Sequence, residues 1–446
     1  MAPFFFDDAL VRLVETLSER IDRAFVEEGV VLRDASGRLT FVANRPARDE
    51  SERQSLGDAL IAALGPYARA DRPISFKGDG GADPVLESPD RLPIQLAEGF
   101  CRLVDRRIVG SGWLDTPLDE AVFPPRVVFA SLKGGVGRST ALAVAAADLA
   151  RRNRNILIID LDLEAPGLGH LLLGPEEPPR YGVLDYLVED GLGGVPDALL
   201  PDFIASSLLT SAGGGRVDVL PALGQRSFDH PENVLPKLSR AMLEDVGDGG
   251  THSVAEQISA MITRITRREQ YDAVFIDSRA GLAELAAPAV LGLGATVLLF
   301  GTAQQQTLEG YRALFAALRL LAQRDKDQGR GAEWRTRLRP VYAKAGLDNR
   351  VAERFTDDLY ELYSEYLYDS EEDSAADSDP LRFARDDPEA PHWPLVIPFN
   401  QSFIDFDPCR TEGQLLQPFY EQTYRSFLSG LDAAMGAEGA PKEPEA

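Results

Sequence analysis

Residues 131–140 read S-L-K-G-G-V-G-R-S-T, and this stretch restricts what the chain can fold into more tightly than any other. Gly134, Gly135 and Gly137 fall between an apolar run (residues 127–130) and an alanine-rich one (residues 141–150). Glycine tolerates the left-handed backbone of a tight turn, and without a Cβ it lets successive N–H groups converge on one anion. Strand, glycine-rich turn and helix in that order place those N–H groups at a helix N-terminus, where the helix dipole also favours negative charge. The hydroxyls of Ser139 and Thr140 follow at once, and a hydroxyl there can ligate Mg²⁺. The segment reads as a phosphate-binding loop with two departures from the common form. Lys133 precedes the glycines, and Arg138 stands where a lysine is usual.

Two further segments point the same way. Residues 155–160 (N-I-L-I-I-D) form a short apolar strand ending in Asp160 and continue as L-D-L-E-A-P-G-L. Residues 273–277 (A-V-F-I-D) form another, ending in Asp277 and continuing as S-R-A-G-L. Ligands of an open α/β sheet sit at the carboxyl ends of its strands, so both carboxylates are expected to face the phosphate loop. Asp160 and Asp162, two apart at a strand end, are expected to point the same way.

At this point the three blocks identify a resemblance. K-G-G-V-G-R-S-T closely resembles the deviant Walker A motif of the ParA/MinD-type ATPases, K-G-G-x-G-K-[ST]. D-L-D-L-E-A-P-G resembles their second acidic motif, and F-I-D-S-R-A-G-L their Walker B and switch II region. The arginine at 138 is similar to a mainly bacterial branch that carries KGGVGR. The resemblance spans residues 126–430, is carried by those three blocks, and leaves the first 120 residues outside.

The resemblance implies bound ATP and Mg²⁺ and assigns roles. The backbone N–H groups of Gly134, Gly135, Val136, Gly137, Arg138 and Ser139 would cradle the β-phosphate, with Thr140 at the α- and β-phosphates. Ser139 and Asp277 would hold Mg²⁺, Asp160 would support its shell, and Asp162 would orient the attacking water. Lys133 would reach the partner's nucleotide across a face-to-face homodimer, as an arginine finger does in trans, a contribution of roughly 10³–10⁵ in rate. Adenine would meet Lys344 and the segment Pro398, Phe399 and Asn400; no N-K-x-D guanine motif is present. Arg138 would contact the β- and γ-phosphates in place of the lysine, although guanidinium and ammonium are not interchangeable. Arg279 either senses the γ-phosphate or pairs with a carboxylate, and Glu164 is read as a solvated loop carboxylate.

Composition limits the partners. Lys and Arg number 46 against 71 Asp and Glu, a net charge of −25. DNA affinity rests largely on basic side chains neutralising phosphates, so direct DNA binding is disfavoured. Arg102, Arg106 and Arg107 form the only local basic cluster in the N-terminal part, and Arg264, Arg267 and Arg268 another; both are small and read as solvated or ion-paired faces. Membrane-surface binding is disfavoured because the last helical stretch, 418–435, is poor in basic residues. The longest uncharged, mostly apolar stretch, 285–303, is broken by Pro288, Gly292, Gly294 and Gly301 and reads as a buried helix and strand, not a membrane span. The acidic start after a short aromatic run is unlike a signal peptide. With only Cys101 and Cys409, no disulfide framework is expected, and the cytoplasm is the expected location.

The chain is expected to hold two domains. Residues 1–122 read as a small α+β accessory or partner-recognition domain: one helix over 8–28, a hairpin over 30–43 and a strand near 103–108, followed by a linker over 117–125. Residues 126–435 read as an α/β domain with a doubly wound, mostly parallel sheet and further strands at 217–220, 296–300, 339–342 and 395–397. Residues 369–391 read as a mobile acidic insertion and 436–446 as a disordered tail. The tyrosines 360, 363, 366 and 368 have helical spacing and read as core or helix face. The function these features imply is an ATP-dependent dimerisation switch acting on an unidentified protein partner, with slow hydrolysis. The alternative is a nucleotide-binding scaffold without turnover.

Overall fold

The computed structural model describes residues 5–436, excepting 98, 175–177, 210–213, 248–249, 371–379 and 412. It divides into two compact units, Met1–Leu114 with Ala317–Gly331, and Asp115–Ala316 with Ala332–Ala446.

The first unit contains α1 (Phe6–Arg20), α2 (Arg23–Glu28), β1 (Val30–Arg33), β2 (Leu39–Ala43), α3 (Glu50–Leu64), β3 (Ile74–Phe76), α4 (Ala82–Leu86), β4 (Leu92–Leu96) and β5 (Gly99–Asp105). Its sheet runs β3-β2-β1-β5-β4. The hairpin read over 30–43 is β1–β2, antiparallel with Val31 opposite Phe41. The single helix read over 8–28 is two. The Asp22 carboxylate accepts the Phe25 N–H at 2.8 Å and starts a new helix, while Ile21 leaves helical geometry. Apolar spacing continues through the break because both helices bury Leu13, Leu17, Phe25 and Val26 in one core with Phe41 and Phe76. The strand read near 103–108 is β5; it ends at Asp105, and Ile108 is exposed.

The second unit contains β6 (Arg126–Ser131), α5 (Arg138–Arg151), β7 (Ile156–Asp160), α6 (Leu168–Leu172), α7 (Val183–Asp190), β8 (Ala205–Ser206), β9 (Val217–Leu220), α8 (Gln225–Asp229), α9 (Val234–Ala241), β10 (Asp245–Gly247), β11 (Gly250–His252), α10 (Val254–Arg268), β12 (Ala273–Ala280), α11 (Ala286–Leu291), β13 (Thr296–Gly301), α12 (Gln305–Asp327), β14 (Leu338–Ala345), α13 (Asn349–Tyr366), β15 (Leu395–Pro398) and α14 (Gln417–Ala434). The division between units falls within α12. The large sheet runs β15-β14-β13-β6-β12-β7-β9-β8 and is parallel except for β8. This is the doubly wound, mostly parallel α/β fold expected from the strand and helix alternation.

Parallel strands covered on both faces read as continuous apolar runs, which is why β6, β7 and β12 carry no polar alternation until their carboxyl ends. Phe129 stacks on Phe300 and meets Phe275 edge-on in the centre of this core. From β6 the chain first moves toward β7 and β9, and later returns to build β13, β14 and β15 on the other side. Right-handed crossovers then place the two sets of helices on opposite faces. The direction reverses around β6, so a crevice opens at its carboxyl end, and the glycine loop lies there.

Several expected loops are held in place within this unit. In the 117–125 segment, read as a linker, the Leu118 N–H donates to the Leu291 carbonyl, and Asp119 accepts the Trp334 N–H at 2.6 Å. Of 369–391, read as a mobile insertion, residues 371–379 lie outside the described residues. Its flanks are tied down: Asp369 pairs with Arg335 at 2.9 Å, and Ala390 is buried. All but the first residue of the 436–446 tail also lies outside the described residues. Among the tyrosines, Tyr363 is fully buried on α13 and donates to the Leu338 carbonyl, a core role. Among the described residues no helix is long and apolar enough to cross a membrane.

Candidate functional site

The glycine loop joins β6 to α5 with the geometry its composition requires. Gly135 and Gly137 have φ of 74° and 91°, the left-handed region, and Gly137 is the residue before the first turn of α5. A Cβ built on Gly134, Gly135 or Gly137 meets nothing within 4 Å, so the loop's surface is open. Val136 between them is buried and anchors the loop in the core, and Ser131 Oγ donates to the Lys133 carbonyl at 2.9 Å. The first N–H groups of α5 have no partner within the helix, so the loop and helix together present an anion-binding N-terminus.

Two carboxylates lie beside the loop at the same level of adjacent strands, for Asp277 on β12 is in register with Asp160 on β7. Ser139 Oγ donates to Asp277 Oδ2 at 2.7 Å. Asp277 Oδ1 is buried without a hydrogen-bond partner. Burial raises Asp277 to about 6, against the lowering effect of the Arg138 guanidinium and the Ser139 hydroxyl. A hydroxyl and one carboxylate with an orphaned oxygen fit a hydrated Mg²⁺, which takes few protein ligands and keeps waters and phosphates for the rest. Asp160 is placed differently. Its Oδ1 accepts the Asp162 N–H at 3.0 Å, and its Oδ2 accepts those of Gly167 and Leu168 at 3.3 and 3.2 Å. It therefore shapes the loop after β7. Burial, and then Asp277 alongside, push it up to about 8.

Arg138 turns toward the carboxylates. Its guanidinium donates to the Ser278 carbonyl, with Nη2 at 3.6 Å from Asp162 Oδ2 and Nε at 3.9 Å from Asp277 Oδ1. Arg279 also pairs with carboxylates, at 3.3 Å from Asp162 and 2.9 Å from Glu164. Of the two readings of Arg279, the ion pair describes this state, and Glu164 is ion-paired, not merely solvated. Asp162 is thus bracketed by two guanidinium groups.

Lys133 is exposed, with Nζ 3.4 Å from Gln304 Oε1. A cavity of about 340 Å³ is lined by Gly135 through Thr140, Lys344, Ile397 to Asn400, Phe403, Ile404, Thr423 and Tyr424. Pro398, Phe399, Asn400 and Lys344, separated from the loop by more than 200 residues, therefore share a cavity with it. Lys344 donates from Nζ to the Gly135 carbonyl at 2.7 Å. Sequence reasoning missed Phe403, Ile404, Thr423 and Tyr424. The only signal in the sequence was the aromatic density of 399–427, which also serves packing: Phe403 meets Tyr424 edge-on and lies tilted against Phe419. A second cavity of about 300 Å³ lies beside Asp160 and His170 and is mostly apolar.

Known proteins compare with this chain as follows. The profile of the CobQ/CobB/MinD/ParA nucleotide binding domain matches residues 127–327. No curated protein sequence is detectably similar. Among solved structures, apo McdA of Cyanothece is 16% identical with a TM-score of 0.43, covering 70% of this chain and 99% of its own. The cell division ATPase MinD of Pyrococcus furiosus is 18% identical with a TM-score of 0.40, again covering 70% and 99%. A ParA family ATPase from Chlorobium tepidum is 15% identical with a TM-score of 0.42 and the same coverage. With the glycine loop, the Ser139–Asp277 pair and the matched sequence block coinciding, the segment 127–327 belongs to the CobQ/CobB/MinD/ParA family, and the chain carries a ParA/MinD-type P-loop nucleotide-binding domain.

Proposed function

We propose that this chain is a Mg²⁺-dependent ATPase that works as a nucleotide-controlled dimerisation switch. The observation that carries the nucleotide reading is the Ser139–Asp277 hydrogen bond beside an open, left-handed glycine loop. Ser139 and Asp277 would hold Mg²⁺, whose chemistry there is to neutralise charge on the β- and γ-phosphates. The backbone N–H groups of residues 134–139 would bind the phosphates, and the cavity toward Phe399 and Tyr424 would take the adenine. An apolar, partly aromatic wall suits a flat base.

Asp162 is the carboxylate proposed to orient the attacking water. It lies near the loop without a backbone duty of the kind that occupies Asp160. Lys133 supports the dimer part of the proposal. It is exposed on the loop, and among the described residues its ammonium is hydrogen-bonded to a neutral amide, which leaves its charge available to a second copy's phosphates. In this reading ATP closes two copies face to face, a protein partner reads the closed form, and hydrolysis opens it.

The test is mass in solution. Sedimentation of the full chain with Mg²⁺ and a non-hydrolysable ATP analogue should give a dimer, and with ADP a monomer. Lys133→Ala should stay monomeric with the analogue. A monomer in both nucleotide states rules out the switch. If nucleotide binds without phosphate release, the scaffold reading replaces it.

A further inference from the structure

Lys344 reaches the glycine loop from an unusual backbone. Its φ is 54°, left-handed, a conformation that side chains other than glycine seldom adopt. It lies where β14 carries one residue too many. Tyr342 is opposite Val396 and Ala345 opposite Pro398, three steps on β14 against two on β15. Such bulges re-aim a side chain, and their left-handed position usually holds glycine. Here it holds a lysine whose ammonium lies 2.7 Å from the Gly135 carbonyl, in the cavity that ends at the loop. A strained position kept for one particular side chain invites a functional explanation.

The charge balance supplies one. In a common phosphate loop a lysine near the start of the helix meets the β- and γ-phosphates. At that position this chain has Arg138, whose guanidinium is drawn to Asp162, Asp277 and the Ser278 carbonyl. Its charge is largely committed to two carboxylates. Among the described residues the Lys344 ammonium holds a neutral carbonyl on the loop and no carboxylate. A compact ammonium is the right group for a point charge between phosphate oxygens. Exchanging a carbonyl for an anionic oxygen converts a neutral-acceptor bond into a stronger, fully charge-assisted one.

We propose that Lys344 supplies the phosphate-binding ammonium of this site, delivered by the bulge in β14 instead of by the helix after the loop. The proposal rests on the nucleotide reading above and names a further residue within it. Lys344 thereby serves the phosphates and not, as its position after the β14 strand had implied, the adenine.

The experiment is calorimetric titration of the full chain with ATP, ADP and adenosine in Mg²⁺. Lys344→Gly keeps the left-handed backbone comfortable and removes the ammonium, so a purely conformational role for Lys344 predicts no loss. The expected result is a loss of ATP and ADP affinity of about 10- to 100-fold, the range for a charge-assisted hydrogen bond, with adenosine affinity unchanged. Lys344→Met should lose the same affinity, and Lys344→Arg should retain part of it. Thermal melting of each variant reports folding separately. ATP affinity in Lys344→Gly within twofold of wild type overturns the inference alone. A parallel loss of adenosine affinity also overturns it, since the side chain would then serve the base. A wild-type chain that binds no nucleotide overturns the functional reading and the inference together.

Discussion

Arg279 Nη1 donates to Asp162 Oδ1 at 3.3 Å, so the carboxylate proposed to position water is ion-paired. Arg138 approaches its other oxygen at 3.6 Å. A carboxylate held by two guanidinium groups is fixed in direction, as a water-orienting group must be. Asp162→Ala should leave ATP affinity nearly intact and lower phosphate release by about 10²-fold or more, as for loss of a catalytic base. Steady-state phosphate release with parallel calorimetry checks both halves. Turnover at the wild-type rate would remove Asp162 from the mechanism.

Arg138 is the second test. One guanidinium serves two carboxylates and a carbonyl, and a lysine cannot reproduce that planar fork. Arg138→Lys should destabilise the chain by about 1–3 kcal/mol, since buried carboxylates lose part of their compensation. Turnover should fall despite the restored common motif. Thermal melting and phosphate release measure the two effects. A more active, equally stable variant would mean that the site is an ordinary phosphate loop.

The glycine loop allows a backbone test free of crowding. A Cβ at Gly135 meets no neighbour, but φ of 74° strains any other residue. Gly135→Ala should cost about 1–2 kcal/mol of stability through the left-handed backbone alone. Relaxation of φ would also turn loop N–H groups away from the anion, so ATP affinity should fall with it. Melting unchanged and affinity unchanged would show that the loop adapts without cost.

In the first unit, Glu52 offers a pH test. Its carboxylate takes a two-pronged hydrogen bond from Arg45, at 2.6 and 3.0 Å, and the Arg48 N–H at 2.7 Å. The Arg45 contact, helped by that N–H, lowers it to about 2. A folded value below the unfolded one stabilises the fold fully above about pH 4.5, and the contribution fades as pH falls toward 2. Glu52→Gln should therefore melt below wild type at neutral pH, by about 1–2 kcal/mol for a charge-assisted pair. The gap should close between pH 4.5 and 2. A gap independent of pH would assign the loss to shape instead of charge.

The sequence by itself determined the elements that depend only on neighbours along the chain. Apolar runs ending in Asp160 and Asp277 are strands because a buried parallel strand needs continuous apolar side chains and its carboxyl end can be polar. Gly134–Gly137 is a loop before a helix because only glycine accepts φ of 74° and 91° there without strain. Local rules failed at Ile21, where the Asp22 cap broke a helix whose apolar spacing ran on. Tertiary structure decided the rest, because sheet register and side-chain direction belong to no single segment. Pairing Asp277 with Asp160 across β7 and β12 created the buried pair and left the two with different duties. The same packing turned Arg138 toward Asp162 and Asp277. A one-residue mismatch between β14 and β15 carried Lys344 across a separation of 209 residues to the Gly135 carbonyl, a position fixed by which strands lie side by side.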